Sequence, residues 1–174
     1  MTIIPTLTTE RLILRPHQLV EFEDYAVFWK QEALTRFVGG EPPTREQTWA
    51  RLLRHTGMWH LLGFGFFAIE ERESGRFVGE AGFLDLHREM KPTTEGTLET
   101  GWAISPSLQG KGYATEAISA AIAWADGKFA VRRMTCTIDP ENSLSLRVAE
   151  KVGFRRIGET VYKDKMNIML ERWK

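Results

Sequence analysis

Between residues 97 and 129 the sequence passes from an alternating run, Thr97-Leu98-Glu99-Thr100-Gly101-Trp102-Ala103-Ile104, through Ser105-Pro106-Ser107-Leu108 into Gln109-Gly110-Lys111-Gly112-Tyr113-Ala114-Thr115 and an alanine-rich stretch. The order reads as strand, glycine turn, helix N-terminus. Glycines on both sides of Lys111 leave no Cβ in the way, so successive N–H groups can converge on an anion while the new helix adds the positive end of its dipole. Met134–Ile138 reads as the next strand, and the right-handed crossover rule makes the strands at 97–104 and 132–138 parallel neighbours. A ligand entering between their C-terminal ends would meet the helix N-terminus.

The spacing narrows the kind of phosphate cradle. A P-loop needs Gly-Lys followed by Ser or Thr, and Lys111 is followed by Gly112. A dinucleotide fingerprint needs Gly or Ala where Thr115 stands, and a tighter turn than the 105–108 spacer allows. What remains is Gln-x-x-Gly-x-Ala, at Gln109, Gly112 and Ala114.

The rest of the chain supplies the surroundings. Residues 8–16 read as a short strand stopped by Pro16. Phe22, Tyr25, Ala26, Phe28, Trp29, Leu34 and Phe37 mark one amphipathic helix over 21–38, with a break near Lys30. Thr44 caps a second helix with Gln47 three residues on; its apolar face is Trp49, Leu52, Leu53 and Thr56, and it ends near Gly57. Three strands follow, 64–70, 77–87 and 98–104, the first two joined at 72–75, with Gly79 and Gly82 suggesting a bulge or close backbone approach. The helix after the cradle carries Ala114, Ala117, Ile118, Ala121, Ile122, Ala125 and Phe129 on one stripe. Asn142 caps a last helix with Leu144, Val148 and Val152 on one face, stopped by Gly153. Strands at 154–161 and 167–170 close the chain around Lys163-Asp164. The expected fold is α+β, a mixed central sheet of about seven strands flanked by about four helices, in one domain over 1–174.

With 174 residues, 43% of them hydrophobic, the chain can bury one sizeable core. Its formal net charge of +0 gives no overall field toward nucleic acid or an anionic membrane, so neither is an expected partner. The single cysteine, Cys136, excludes an internal disulfide and a cysteine-based zinc site. No apolar run approaches the roughly 18 residues of a membrane span. These features point to a cytoplasmic protein without a metal.

Four pieces occur in the order of one family: Thr-Glu-Arg-Leu-Ile-Leu-Arg-Pro at 9–16, the strand ending Gly101-Trp102-Ala103-Ile104, the loop 109–115 followed by Glu116-Ala117, and Asn142-x-x-Ser145 leading to Glu150-Lys151-Val152-Gly153-Phe154. Together they resemble the RimJ/RimL-type branch of the GNAT N-acetyltransferases, over essentially the whole chain. The resemblance implies the GNAT acyl-CoA N-acyltransferase fold, with acetyl-CoA as cosubstrate in a cleft where the strand at 97–104 splays from the one at 132–138. It implies that backbone at Trp102 and Ile104 pairs with the pantetheine amides. The pyrophosphate then takes N–H groups from Gln109, Gly110, Lys111, Gly112, Tyr113, Ala114 and Thr115, and Asn142 holds the pantetheine arm. Ser145 then protonates the departing thiolate.

Acetyl transfer to an amine requires a deprotonated nucleophile, a donor for the carbonyl oxygen and a proton for the thiolate. The N–H near the splay, at Ile104, is the natural oxyanion donor. For the base, Glu99 lies beside the thioester path and can act through water, with Glu80, His87 and Tyr162 as runners-up. An α-amine, with a pKa near 7.7–8.0, is appreciably neutral at pH 7 and needs positioning more than a base. Plainer roles stand beside these: Asn142 as only a helix cap with Ser145 at its third position, Glu99 and Lys111 as solvated charges, Trp29, Trp59 and Trp102 as packing, Cys136 as a core hydrophobe. Trp59-His60 falls where this family lines its acceptor site. The acceptor is a protein N-terminus or a small amine such as an antibiotic, amino acid or polyamine, and Arg36, Arg45, Arg51 and Arg54 disfavour a polycation. A non-catalytic acyl-CoA sensor and a nicotinamide-binding protein are the competing classes. The family likeness allows a monomer or a homodimer joined through a terminal strand.

Overall fold

A computed structural model describes residues 3–130 and 133–174. Among these residues the strands form one mixed sheet of eight, ordered β1-β2-β3-β4-β5-β6-β8-β7, with five α-helices against it. The expected opening strand is two, β1 (Leu7–Thr8) and β2 (Leu12–Arg15), folded back on each other at 9–11, which accounts for the eighth strand. The expected helix over 21–38 is likewise two, α1 (Phe22–Trp29) and α2 (Glu32–Thr35), because Gln31 is extended and interrupts the ladder.

Helix α3 (Arg45–Leu62) begins at the expected capping box: the Thr44 side chain accepts from the Gln47 N–H, and Gln47 answers on the Thr44 N–H. It runs past Gly57 and stops at Gly63, whose φ of +76° is left-handed. Burial of Met58 and Trp59 carries the helix through, and the Trp59 indole N–H donates to the Phe66 carbonyl at 2.9 Å. The buried face is Thr48, Leu52, His55 and Trp59, one position round from the expected stripe, so Trp49 and Leu53 are exposed. Two polar residues on the buried side hid the periodicity.

Strands β3 (Phe66–Glu71), β4 (Phe77–Leu84) and β5 (Leu98–Ile104) form the antiparallel meander. The glycines of β4 mark close approach: a Cβ on Gly79 would lie 2.1 Å from the Ala103 carbonyl oxygen, and one on Gly82 2.2 Å from that of Gly65. The register shift opposite Ile69 and Glu70 leaves Val78 as the extra residue, so the bulge also falls in β4, next to Gly79. Helix α4 (Tyr113–Lys128) then crosses over and delivers β6 (Arg133–Ile138) parallel to β5. Residue 132, where the sequence reading begins this strand, lies outside the described residues. Helix α5 (Ser143–Lys151) and the hairpin β7 (Arg155–Tyr162) and β8 (Lys165–Trp173) complete the chain, with β8 antiparallel to β6.

One apolar cluster joins the alanine-rich stripe of α4 to Leu12, Leu14, Phe67, Ile69 and Phe83. A second gathers α1, α2 and Leu52 of α3. Ile104 belongs to the first and Ala103 to the second, as neighbours on a strand pointing to opposite faces would. The backbone of β5 therefore sits between two packed layers and has little room to move.

Gly79→Ala should lower stability by roughly 3 kcal/mol, because its Cβ would press on β5 backbone, which cannot give as a flexible side chain can. Gly57→Ala meets open space within a helix and should raise stability by about 0.5–1 kcal/mol. Urea denaturation of the two variants checks both signs.

Candidate active site

The two parallel strands separate almost at once. β5 and β6 pair only at Leu98 with Met134 and Glu99 with Thr135; beyond that β5 remains bound to β4 and β6 to β8. The bond from the Ser105 N–H to the Val78 carbonyl, 2.9 Å, fixes the phase of the β4–β5 ladder. Alternation then turns the backbone groups of Gly101 and Ala103 toward β4 and those of Trp102 and Ile104 toward the gap. The Ile104 carbonyl accepts from the Gln109 side-chain amide at 3.1 Å, which leaves its N–H facing the gap.

A 3-10 turn over Pro106–Leu108 leads from β5 to the glycine loop, where Gly110 has φ +77° and Gly112 φ +84°. Gly112 is the residue before α4, and its left-handed backbone aims the first amides of the helix outward. Among the described residues no protein acceptor takes the N–H groups of 110–115; the Gln109 N–H goes to Pro106, and the helical bonds begin with Glu116 to Gly112. The loop is held from behind. Glu116 accepts from the Thr9 hydroxyl at 2.6 Å, the Arg11 N–H at 2.8 Å and the Arg11 guanidinium at 2.7 Å, and Arg11 also donates to the Lys111 carbonyl. Burial pushes the Glu116 pKa up, but these hydrogen bonds outweigh it and the net shift is downward. The Tyr113 hydroxyl donates to Glu71 at 2.6 Å.

Two cavities meet at the gap. The first, of about 280 Å³, is lined by Trp102, Ile104, Gln109, Gly110, Gly112, Tyr113, Ala114, Thr115, Asn142 and Ser145. Lys111 is exposed and not on its wall. Arg147 and Lys151 of α5 are on that wall, and no carboxylate is. The apolar stripe of α5 faces this cavity as well: Leu144 and Val148 line it, while Ala149 is the residue of α5 that is fully buried. The second cavity, of about 420 Å³, lies on the far side of Trp102, Ala103, Asn142 and Ser145, which line both. Its other walls include Trp29, Arg51, Arg54, Arg88, Glu99, Thr137 and Tyr162.

At the junction, the Asn142 side-chain oxygen accepts the Ser145 N–H at 3.1 Å, so the cap is formed. The Asn142 NH2 group and the Ser145 hydroxyl have no hydrogen-bond partner among the described residues. Glu99 is buried, both its oxygens bonded by Arg88 at 2.9–3.1 Å, with Thr94 at 3.3 Å. Of the other base candidates, Tyr162 is on the second cavity with the Arg88 guanidinium over its ring at 4.8 Å; His87 sits on an exposed loop beside Asp85 and Glu95, away from both cavities; Glu80 is fully buried behind Arg51. Trp59 packs in the core against Phe67 and Trp124, and neither it nor His60 lines either cavity. Arg88 and the cations of α5 escaped the sequence reading. Arg147 and Lys151, four apart on the helix that Asn142 caps, were the available signal.

A strand leaves its parallel neighbour beside a helix N-terminus with a glycine at its start, and known proteins place the chain in a family. The model of the acetyltransferase (GNAT) domain matches residues 11–155, and the chain belongs to the GNAT acetyltransferases, enzymes that draw their acetyl group from acetyl-CoA. It is 27% identical over 152 residues to YnaD of Bacillus subtilis (strain 168), an uncharacterised N-acetyltransferase, covering 87% of this chain and 84% of that one. A protein from Bordetella pertussis assigned to the GNAT acetyltransferases shares 32% identity at a TM-score of 0.86, over 97% of this chain and 99% of that one. RimL, a ribosomal L7/L12 α-N-protein acetyltransferase solved with coenzyme A, superposes at a TM-score of 0.80 over 97% and 98% of the two chains; at 15% identity that likeness is one of fold. Among the described residues no helix is long and apolar enough to cross a membrane, and no three His, Cys, Asp or Glu side chains gather as metal ligands.

One layer behind the second cavity lies a buried polar cluster. Glu80 accepts from Arg51 at 2.7 Å and from the Tyr25 hydroxyl at 2.7 Å, while His17 and His55 stack on each other with ring centroids 5.4 Å apart. Burial alone would raise the Glu80 pKa, but the Arg51 guanidinium holds it well below the usual carboxylate range. Burial pushes His17 down to about 4 and lowers His55 too, against the pull of Glu80. Both histidines are therefore harder to protonate in the fold than in the unfolded chain, which takes up their protons near pH 6.5. Between pH 6.5 and about 4 the unfolded state binds more protons, so stability falls as pH falls through that window, by up to about 1.4 kcal/mol per pH unit for each proton. Urea titrations from pH 7 to 4.5 should show that slope, and His17→Gln should flatten it.

Proposed function

We propose that the protein moves the acetyl group of acetyl-CoA directly to a primary amine in a ternary complex, with the carrier in the first cavity and the acceptor in the second. The observation that carries this reading is the pair of cavities meeting at one wall of Trp102, Ala103, Asn142 and Ser145. The unbonded amides of 110–115, the dipole end of α4 and the carboxylate-free wall with Arg147 and Lys151 suit a diphosphate. The gap-facing backbone of Trp102 and Ile104 suits a chain of amides such as pantetheine, and the Asn142 NH2 group faces the same arm.

The reaction joins the amine nitrogen to the acetyl carbon, breaks the C–S bond, releases one amine proton and returns the carrier as a thiol. We assign the Ile104 N–H to the carbonyl oxygen and the Ser145 hydroxyl to the thiolate. A thiol leaves at a pKa of about 8.5, so the serine proton helps turnover without being indispensable. Of the carboxylates on the acceptor side we assign Glu99, which lies on β5 beside the thioester path, as base through a water. Proton uptake there gives up part of the Arg88 pair, so positioning carries more of the rate than the base does. That balance favours an acceptor already partly neutral at pH 7, an α-amine, as at a protein N-terminus in the RimJ/RimL manner, over a lysine or polyamine. A cytoplasmic monomer or homodimer fits this role.

Gly112→Val should weaken acetyl-CoA binding by about tenfold or more in calorimetry, since a β-branched residue resists φ +84°. Ser145→Ala should lower kcat by roughly tenfold while leaving acetyl-CoA affinity near its native value. Undiminished turnover in Ser145→Ala removes the proton-donor role; undiminished affinity in Gly112→Val removes the cradle. Acetyl-CoA binding without CoA release across a panel of amines makes the protein a sensor.

A further inference from the structure

The acceptor-side arginines are paired, with one exception. Arg36 pairs with Glu141, Arg45 with Glu23 and Arg51 with Glu80. Arg54 makes no ion pair among the described residues, although it lines the second cavity and keeps an exposed surface. It lies one turn beyond Arg51, whose guanidinium is turned inward onto Glu80 and over the Trp29 ring at 3.8 Å.

The other charges on that wall do not neutralise it. Lys163, in the turn between β7 and β8, and Lys165, the first residue of β8, line the same cavity and have no carboxylate partner among the described residues. Of the two carboxylates on the wall, Glu99 is taken by Arg88, and Asp139 accepts the Glu141 N–H at 2.8 Å where the chain turns toward α5. The charge left for a ligand is positive on balance. A cationic acceptor would meet repulsion there and find no free carboxylate pair to hold it.

We propose that the acceptor is an anionic amine, a primary amine whose skeleton also carries a carboxylate, and that Arg54 grips the carboxylate while the amine reaches toward Ser145. The proposal rests on the acetyl-transfer reading of the site and adds to it the class of acceptor. The guanidinium fork matches a carboxylate in two parallel hydrogen bonds, whereas Lys163 and Lys165 act as point charges at the rim. Burial and the neighbouring Arg51 guanidinium both disfavour the charged form of Arg54, and the attraction of a bound anion offsets them. An acidic residue near a peptide N-terminus and the α-carboxylate of a free amino acid present the same chemistry.

The test measures CoA release from acetyl-CoA with matched acceptors: an acidic tripeptide and its uncharged amide analogue, a free amino acid and its amide, and spermidine. The native protein should prefer the carboxylate member of at least one pair by about tenfold in kcat/KM and should use spermidine worst. Whichever pair shows the preference identifies the source. Arg54→Gln should bring that ratio close to one through a rise in KM, and Arg54→Glu should move the preference toward spermidine. Lys163→Gln should reduce it only modestly, and a variant that melts early is replaced in the comparison by Arg54→Lys, which should keep part of the preference. Turnover with equal or better use of neutral amines, or a preference untouched in Arg54→Gln, overturns this proposal alone. Failure of the native protein to bind acetyl-CoA overturns the transfer reading and this proposal with it.

Discussion

The organisation of this protein depends on a ladder that stops. β5 and β6 share two paired positions and then part, with β5 committed to β4 and β6 to β8. Strands on which one edge is left unbonded expose N–H and C=O groups that are unfavourable to bury, each worth about 1–3 kcal/mol if left without a partner. At Trp102 and Ile104 these groups face a cavity instead of a neighbouring strand. An arrangement that forgoes sheet hydrogen bonds beside a helix N-terminus gives up fold stability where polar backbone groups stay open to a cavity. Close packing keeps it open: Ala103 and Ile104 lie in different apolar clusters, and Gly79 lets β4 press against the Ala103 carbonyl, so β5 cannot swing over to close the gap.

The glycine loop is positioned by the same logic of long-range anchoring. Glu116 in the first turn of α4 gathers three donors from Thr9 and Arg11, and Arg11 reaches on to the Lys111 carbonyl. The first strands of the chain thereby hold the start of a helix a hundred residues away, and the outward amides stay free of internal partners. A carboxylate in this first turn is also favourable to the helix dipole, but its bonds turn it toward β2 and away from the cavity, where it would repel an anion. On the other wall, Arg147 and Lys151 supply positive charge from α5. The chain has no net charge, yet cations outnumber carboxylates on the walls of both cavities.

Those features that depend on short stretches of chain were legible from the residues alone. The capping box at Thr44 and Gln47, the glycine loop, the Asn142 cap, the meander and the parallel crossover each follow from local chemistry or from chain order. What stayed hidden depends on partners distant in sequence. Nothing in the residues around Glu99 announces Arg88, and nothing near Glu80 announces Arg51, yet these pairs decide which carboxylates are available for chemistry. Helix α3 misled because Thr48 and His55 occupy its buried face, so that the apolar pattern pointed to Trp49 and Leu53. The apolar face of α5 serves two surroundings, with Leu144 and Val148 lining the first cavity while Val148 and Val152 pack against the core, and periodicity cannot tell the two apart. The first strand and first helix each divided in two for reasons of backbone conformation at 9–11 and Gln31 that composition does not express.

The most direct test of the account is amide hydrogen exchange over residues 98–116, with and without saturating acetyl-CoA. Amides that face the gap and the cradle, at Trp102, Ile104 and 110–115, should exchange readily in the free protein and become protected together when the carrier binds, while those of Gly101 and Ala103, already bonded to β4, should change little. Protection of the cradle amides in the free protein, or bound carrier with no change at these positions, would contradict the claim that the parted strands and the helix start form the binding site.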